Sequence, residues 1–185
     1  MVRRIVIGAL LWLPLLDAAD VVSYSRRAHS VEVRLSDGAA MLEWVTASTF
    51  RFCREWEHPE RCRPATEREA VAFTVREDEA RLLISSSELQ VSLEKRGGRM
   101  HVATVGGLPL LDELTAPQRD GGGVVYKWHC STSERFFGLG ARDGPINLQG
   151  AHVTAARVFL SSGTGYGLYH PGANESEFDF GKSEP

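Results

Sequence analysis

The sequence has little excess of either charge sign, with 21 Lys and Arg against 24 Asp and Glu in 185 residues and a net charge of -3. That balance excludes a basic nucleic-acid binder and an acidic disordered tail. Glycine and proline are too few, at 18 and 8, for a collagen-like or low-complexity chain. Length is missing too: a (β/α)8 barrel needs about 250 residues, so no such barrel fits within this chain. Helical periodicity is absent beyond two turns, and no motif for a cofactor is present. The chain is still long enough to bury a core without metal or disulfide staples.

Only one long apolar run occurs. Ile5 to Leu16 (IVIGALLWLPLL) follows the basic Val2-Arg3-Arg4, and Leu16-Asp17-Ala18 offers a cleavage site. Basic, apolar and cleavage regions in that order are the pattern of a secretory signal peptide over residues 1–18, leaving 19–185 as the exported domain, periplasmic or extracellular. The run is shorter than the roughly 20 residues that span a bilayer, so no stable membrane span is expected. Export makes the three cysteines worth pairing. Cys53 and Cys62 flank a turn signal at Pro59, which suits a local bridge; the alternative is three unpaired, buried cysteines. Cys130 ends an apolar run and is expected as a buried free thiol.

What fills the chain is alternation. Val31, Val33 and Leu35 interleave with Glu32, Arg34 and Ser36 before a turn at Asp37-Gly38. Met41 to Val45 follows, then Phe50 to Trp56 with Phe50, Phe52 and Trp56 on one face. Val71 to Val75, Leu82 and Ile84, and Leu89 to Leu93 continue the pattern. Gly97-Gly98 turns into Met100 to Thr104, and Gly106-Gly107 supplies another turn. Val124 to Cys130, Arg157 to Ser161 and Gly165 to His170 read as further strands, and Phe178-Asp179-Phe180 opens another. Ala116 to Gly123 reads as a long surface loop between sheets. About ten short strands with frequent turn signals predict an all-β fold, an antiparallel β-sandwich.

Catalytic motifs are scarce. There is no G-x-S-x-G, and Ser161-Ser162-Gly163 precedes a strand where a nucleophile elbow needs a helix. The glycines from Ser161 to Gly167 lack the Lys and the helix of a phosphate loop and read as a turn. None of the six histidines (His29, His58, His101, His129, His152, His170) has a metal-ligand spacing, so no metal site is expected. Glu175, Glu177 and Asp179 share a face if extended, but an exposed chain end cannot raise a carboxyl pKa as acid catalysis requires, and a solvated edge is expected. Asn174-Glu175-Ser176 spells a glycosylation sequon.

The most unusual stretch runs from Glu134 to Pro145, where Phe136-Phe137 precedes Gly138-Leu139-Gly140. Two aromatics beside glycines place bulk against minimal backbone, as in a strand ending in a tight loop or a loop presented to a partner or sugar. Phe136 to Gly150, including Gly144, resembles the F-Y-G-L-G-E-K-x-G-x-L-x-L-x-G phrase of glycoside hydrolase family 31, the α-glucosidase and α-xylosidase family. Val158 to Tyr169, with Ser161, Ser162, Gly165, Tyr166 and Gly167, is similar to that family's P-F-x-L-S-S-x-G-Y-G-x-F, and Phe178-Asp179-Phe180-Gly181 is similar to its F-D-F-G. Upstream, from Val31 to Leu111, only the pattern is similar.

The resemblance implies a galactose-mutarotase-like super-sandwich, the N-terminal domain that precedes the catalytic barrel in that family. The family's nucleophile and acid/base aspartates lie in the barrel, and no position here corresponds to them, so the chain is expected to be inert alone. The interrupted strand before Pro185 is then expected of a chain cut before its barrel. Two positions depart from the pattern: Ala141 stands where Glu is common, and only Ala151 to Arg157 separates Gly150 from the next strand. No substrate-binding residue is carried over. A partner barrel domain and, less directly, carbohydrate are the implied partners. A stand-alone sugar-binding module would need exposed aromatics, for which Trp44, Trp56, Trp128 and Tyr166 are the candidates although all fit core patterns. A sugar epimerase would need a positioned acid and base, typically His and Glu, and the sequence places no such pair.

Overall fold

The computed structural model describes residues 19–64, 70–120, 123–140, 143–156, 158–170 and 175–181. The expected leader, Ala141, Asn174 and Pro185 lie outside the described residues. The first sheet joins β1 (Val21–Arg26), β2 (Ser30–Leu35), β3 (Gly38–Thr46) and β4 (Thr49–Glu55) in chain order. The second is a meander of β5 (Thr74–Glu77), β6 (Arg81–Ser85), β7 (Leu89–Glu94), β8 (Met100–Thr104), β9 (Pro109–Asp120) and β10 (Gly123–Trp128). A smaller third sheet holds β11 (Phe136–Gly138), β13 (Val158–Ser162) and β14 (Gly167–His170), with β13 central. The last pair is β12 (His152–Ala155) with β15 (Ser176–Asp179). All pairings are antiparallel. Among the described residues no helix is long and apolar enough to cross a membrane.

Alternation creates the core. Val31, Val33 and Leu35 of β2 meet Ala40, Leu42 and Trp44 of β3 on one inner face. Leu82, Ile84, Leu89, Val91, Leu93, Met100, Val102 and Leu111 form the facing surface, and the two sets pack as one cluster. Inward-facing residues of two antiparallel sheets interlocking in this way make a β-sandwich. Phe136, Leu139, Leu148 and Leu160 build a second cluster, covered by Val153, Ala155, Leu168, Phe178 and Phe180.

Several elements depart from the sequence reading. Among the described residues fifteen strands stand where about ten were expected. Ala116 to Asp120 is no loop but the end of β9, with Gln118, Arg119 and Asp120 paired to Val125, Val124 and Gly123. Pro117 lacks an N–H to donate, and the register shifts beside it, between Val125 and Lys127, so the strand passes the proline as an irregularity instead of ending. Arg119 fastens this polar end, its Nη1 lying 2.5 Å from Glu57 Oε1. The connection from Ala151 to Arg157 likewise contains β12. Cys130 is exposed instead of buried, because it follows β10, a sheet-edge strand whose residues are exposed or half-buried on both faces. Trp44 is wholly buried, whereas Trp56, Trp128 and Tyr166 are only half-buried.

On the face that carries Phe50, Phe52 and Trp56, Arg54 is buried as well. Its Nη1 donates to the carbonyls of Ala39 (3.1 Å) and Glu55 (2.9 Å), Nη2 pairs with Asp37, and the guanidinium lies over the Trp56 ring. The charge is acceptable there because its donors are satisfied. Cys53 of β4 is joined to Cys62, just after a single helical turn at Pro59–Arg61, with their Cα atoms 5.6 Å apart. A double Cys53→Ser, Cys62→Ser variant is expected to lose about 2–3 kcal/mol, since the bridge closes a short loop. Urea unfolding with and without reductant checks this, and the variant should be insensitive to reductant.

Candidate functional site

The stretch from Glu134 to Gly150 gains its geometry from the second core. Phe136 and Leu139 point into it, and the Leu148 N–H donates to the Phe136 carbonyl at 2.8 Å, folding the loop back on β11. Asn147 Oδ1 accepts from the N–H groups of Phe136 (3.2 Å) and Gln149 (3.3 Å). Gly138, Leu139 and Gly140 all have positive φ, at 113°, 61° and 84°. A leucine in that region is strained. It is held there because its side chain is buried and its N–H donates to the Phe159 carbonyl at 3.0 Å. Gly138 lies so close to β13 that a Cβ on it would stand 2.3 Å from the Phe159 carbonyl oxygen.

The turn between β13 and β14 is built around a buried carboxylate. Glu134 accepts a hydrogen bond from the Ser162 hydroxyl and another, at 3.1 Å, from Thr164 Oγ1. The Thr164 N–H in turn donates to Ser162 Oγ at 3.1 Å. Tyr166 lies in the same cluster; burial, then the Glu134 charge, pushes its phenol well above the ordinary tyrosine range. Partial shielding of the otherwise exposed Cys130 thiol, followed by the Glu134 charge, raises it above the ordinary cysteine range. These groups shape a turn: the Ser162 and Thr164 hydroxyls both spend their protons on the one Glu134 oxygen.

The structure therefore divides the residues singled out in the sequence. Phe136, Leu139 and Ser162 are buried, Gly144 and Gly165 take positive φ in turns, and Phe137, Ser161 and Tyr166 are half-buried. Cys53 belongs to the first sheet, and Cys62 is tied to it from the segment just after the helical turn, away from this region. Glu175, Glu177 and Asp179 are exposed, with His152 Nε2 3.8 Å from Glu177 and Nδ1 3.9 Å from Asp179.

One cluster escaped the sequence reading. On the outer face of the six-stranded sheet, His101 is registered with Asp112 across β8 and β9. Its Nδ1 pairs with Asp112, and its Nε2 lies 3.1 Å from Glu94 Oε1. Arg99 grips Glu94 through two contacts of 2.9 Å, and the hydrogen bond from Arg99 is the main cause holding the Glu94 carboxyl below its ordinary range. Arg81, Gln90 and Ser92 complete a shallow cleft of about 250 Å³ beside it. A His and two carboxylates meet here, yet each ring nitrogen already faces a carboxylate, so neither is presented to a substrate as epimerase chemistry requires. Among the described residues no group of three or more His, Cys, Asp or Glu side chains is placed to hold a metal ion.

On the inner face of β9, Glu113 is almost wholly buried. Its Oε2 accepts from the Met100 N–H at 2.7 Å, while Oε1 has no hydrogen-bond partner. Burial is the main cause raising this carboxyl to about 7.

No protein-family model matches the sequence, and no curated protein does. Solved structures do match the fold. A family 31 dextranase of Flavobacterium johnsoniae, solved with isomaltotriose, superposes with a TM-score of 0.77 at 17% identity, over 91% of this chain and 24% of the dextranase. A cycloalternan-forming enzyme of Listeria monocytogenes, in complex with a pentasaccharide substrate, gives 0.70 at 19% identity, over 89% of this chain and 18% of its own. A family 31 α-xylosidase of Xanthomonas citri gives 0.65 at 22% identity, over 82% and 19%. The chain thus has the fold of a segment that spans less than a quarter of each enzyme.

Proposed function

We propose that residues 19–185 are the non-catalytic, N-terminal β-sandwich domain of an exported family 31 glycosidase, seated beside a catalytic barrel and helping to shape its substrate entrance. The observation that carries this reading is the asymmetry of the matches. They take in nearly all of this chain but only a minor part of each enzyme, in agreement with three sequence phrases that resemble the family's own. The edge strand β10 supports it as well, because Val124, Val125 and Tyr126 are exposed on both of its faces. An uncovered apolar edge is a surface that folded proteins usually pair or cover. Export rests on the leader pattern, and the Cys53–Cys62 bridge suits an oxidising compartment.

The protein alone is expected to release no nitrophenol from p-nitrophenyl α-glucoside or α-xyloside. Turnover that co-purifies with the chain through successive columns would refute a non-catalytic role.

A further inference from the structure

The outer face of the sheet β11–β13–β14 is used by neither core. Register pairs Phe137 with Ser161 and Phe159 with Tyr169, which puts these four side chains on one face. The opposite face carries the buried Phe136, Leu160 and Ser162. Phe159 is 57% exposed and Tyr169 is 68% exposed, directly across from each other on neighbouring strands. The Phe159 ring reaches over Gly167 of β14, where a Cβ would stand 2.6 Å from Cζ. Arg135 is exposed at the rim, its carbonyl continuing the ladder by accepting the Gly163 N–H at 2.7 Å.

We propose that this face is a sugar-binding platform, on which Phe159 and Tyr169 stack against a pyranose ring of a neutral oligosaccharide. A pyranose presents C–H groups on its faces and hydroxyls around its rim. Aromatic faces carry negative charge density and attract the C–H groups, while rings with few torsions lose little freedom on binding. Ser161 and Tyr169 supply hydroxyls on the same face, suited to the rim of the sugar. Area selects the occupant. Two partly exposed rings offer about 200–300 Å², whereas a stable protein interface needs about 800 Å² from each partner. The patch fits a sugar ring and is too small to hold a protein by itself. This site does not depend on a barrel, so it stands or falls separately from the accessory-domain reading.

Titration of the protein with isomaltotriose and with maltotriose, followed by two-dimensional NMR, tests the platform. Saturable shifts are expected with a dissociation constant on the order of 1 mM. Tyr169→Ala should weaken binding about ten-fold with an unchanged circular dichroism spectrum, because that ring is mostly in solvent. Tyr169→Trp should retain binding. The proposal is overturned by the absence of saturable response at about 20 mM sugar. It is equally overturned by binding that Tyr169→Ala leaves intact, or by self-association that Tyr169→Ala abolishes, which would make the face a protein interface.

Discussion

Replacing Gly138 with alanine is expected to destabilise the protein by about 3–4 kcal/mol, from overpacking added to the cost of a side chain at positive φ. The new methyl would stand 2.3 Å from the Phe159 carbonyl oxygen, which is backbone and cannot rotate away. Either β11 leaves β13 or the chain shifts, and in both cases Phe136 and Leu139 lose their packing in the second core. Gly140, two residues on, supplies the control. Its φ is 84°, but a Cβ there would meet nothing within 4 Å, so Gly140→Ala should cost only the backbone strain, about 1–2 kcal/mol. Urea unfolding of both variants measures the difference. Equal losses would show that the close approach to β13 is not what requires glycine at position 138.

Glu113 makes stability depend on pH in an unusual direction. In the unfolded chain its carboxyl titrates at the ordinary value of 4.5, whereas in the fold burial raises it to about 7. Between those values the folded protein holds a proton that the unfolded chain has released. Stability therefore falls as pH rises through this window, by about 3 kcal/mol in total, and is fully present below about pH 4.5. Glu113→Gln keeps an acceptor for the Met100 N–H and removes the titration. The variant should exceed the wild type in stability at pH 8 and lose that advantage at pH 5. Glu94, lowered chiefly by its hydrogen bond from Arg99, works in the opposite sense, adding stability that is lost as pH falls below the usual carboxylate range. Both proteins share that trend, so the difference between their curves isolates Glu113. Parallel stability–pH curves would contradict the assignment.

The two-sheet frame was legible because burial follows period two: Val31, Val33 and Leu35 in β2, and Leu89, Val91 and Leu93 in β7, face the core as their alternation indicates. Turn chemistry was legible at Asp37-Gly38, where Arg54 pairs with Asp37 and the Glu55 carbonyl leaves no room for a side chain at Gly38. Strands held by tertiary contacts were not legible. The polar end of β9 reads as a loop until Arg119 is seen to reach Glu57 and Trp56, and β12 is a strand because β15 pairs with it. Period two also leaves open which face is covered. Phe159 and Tyr169 fit a core pattern but lie outward, and the same ambiguity concealed the meeting of His101 with Asp112. Alternation within one strand cannot reveal a cross-strand partner whose register is set by the intervening turn.

The accessory-domain reading is tested most directly by sequencing the transcript that carries this coding region. The expected result is a segment downstream, in frame or in a neighbouring frame, that encodes a catalytic barrel of about 250 residues or more with a carboxylate nucleophile. An unrelated gene in that position would contradict the reading.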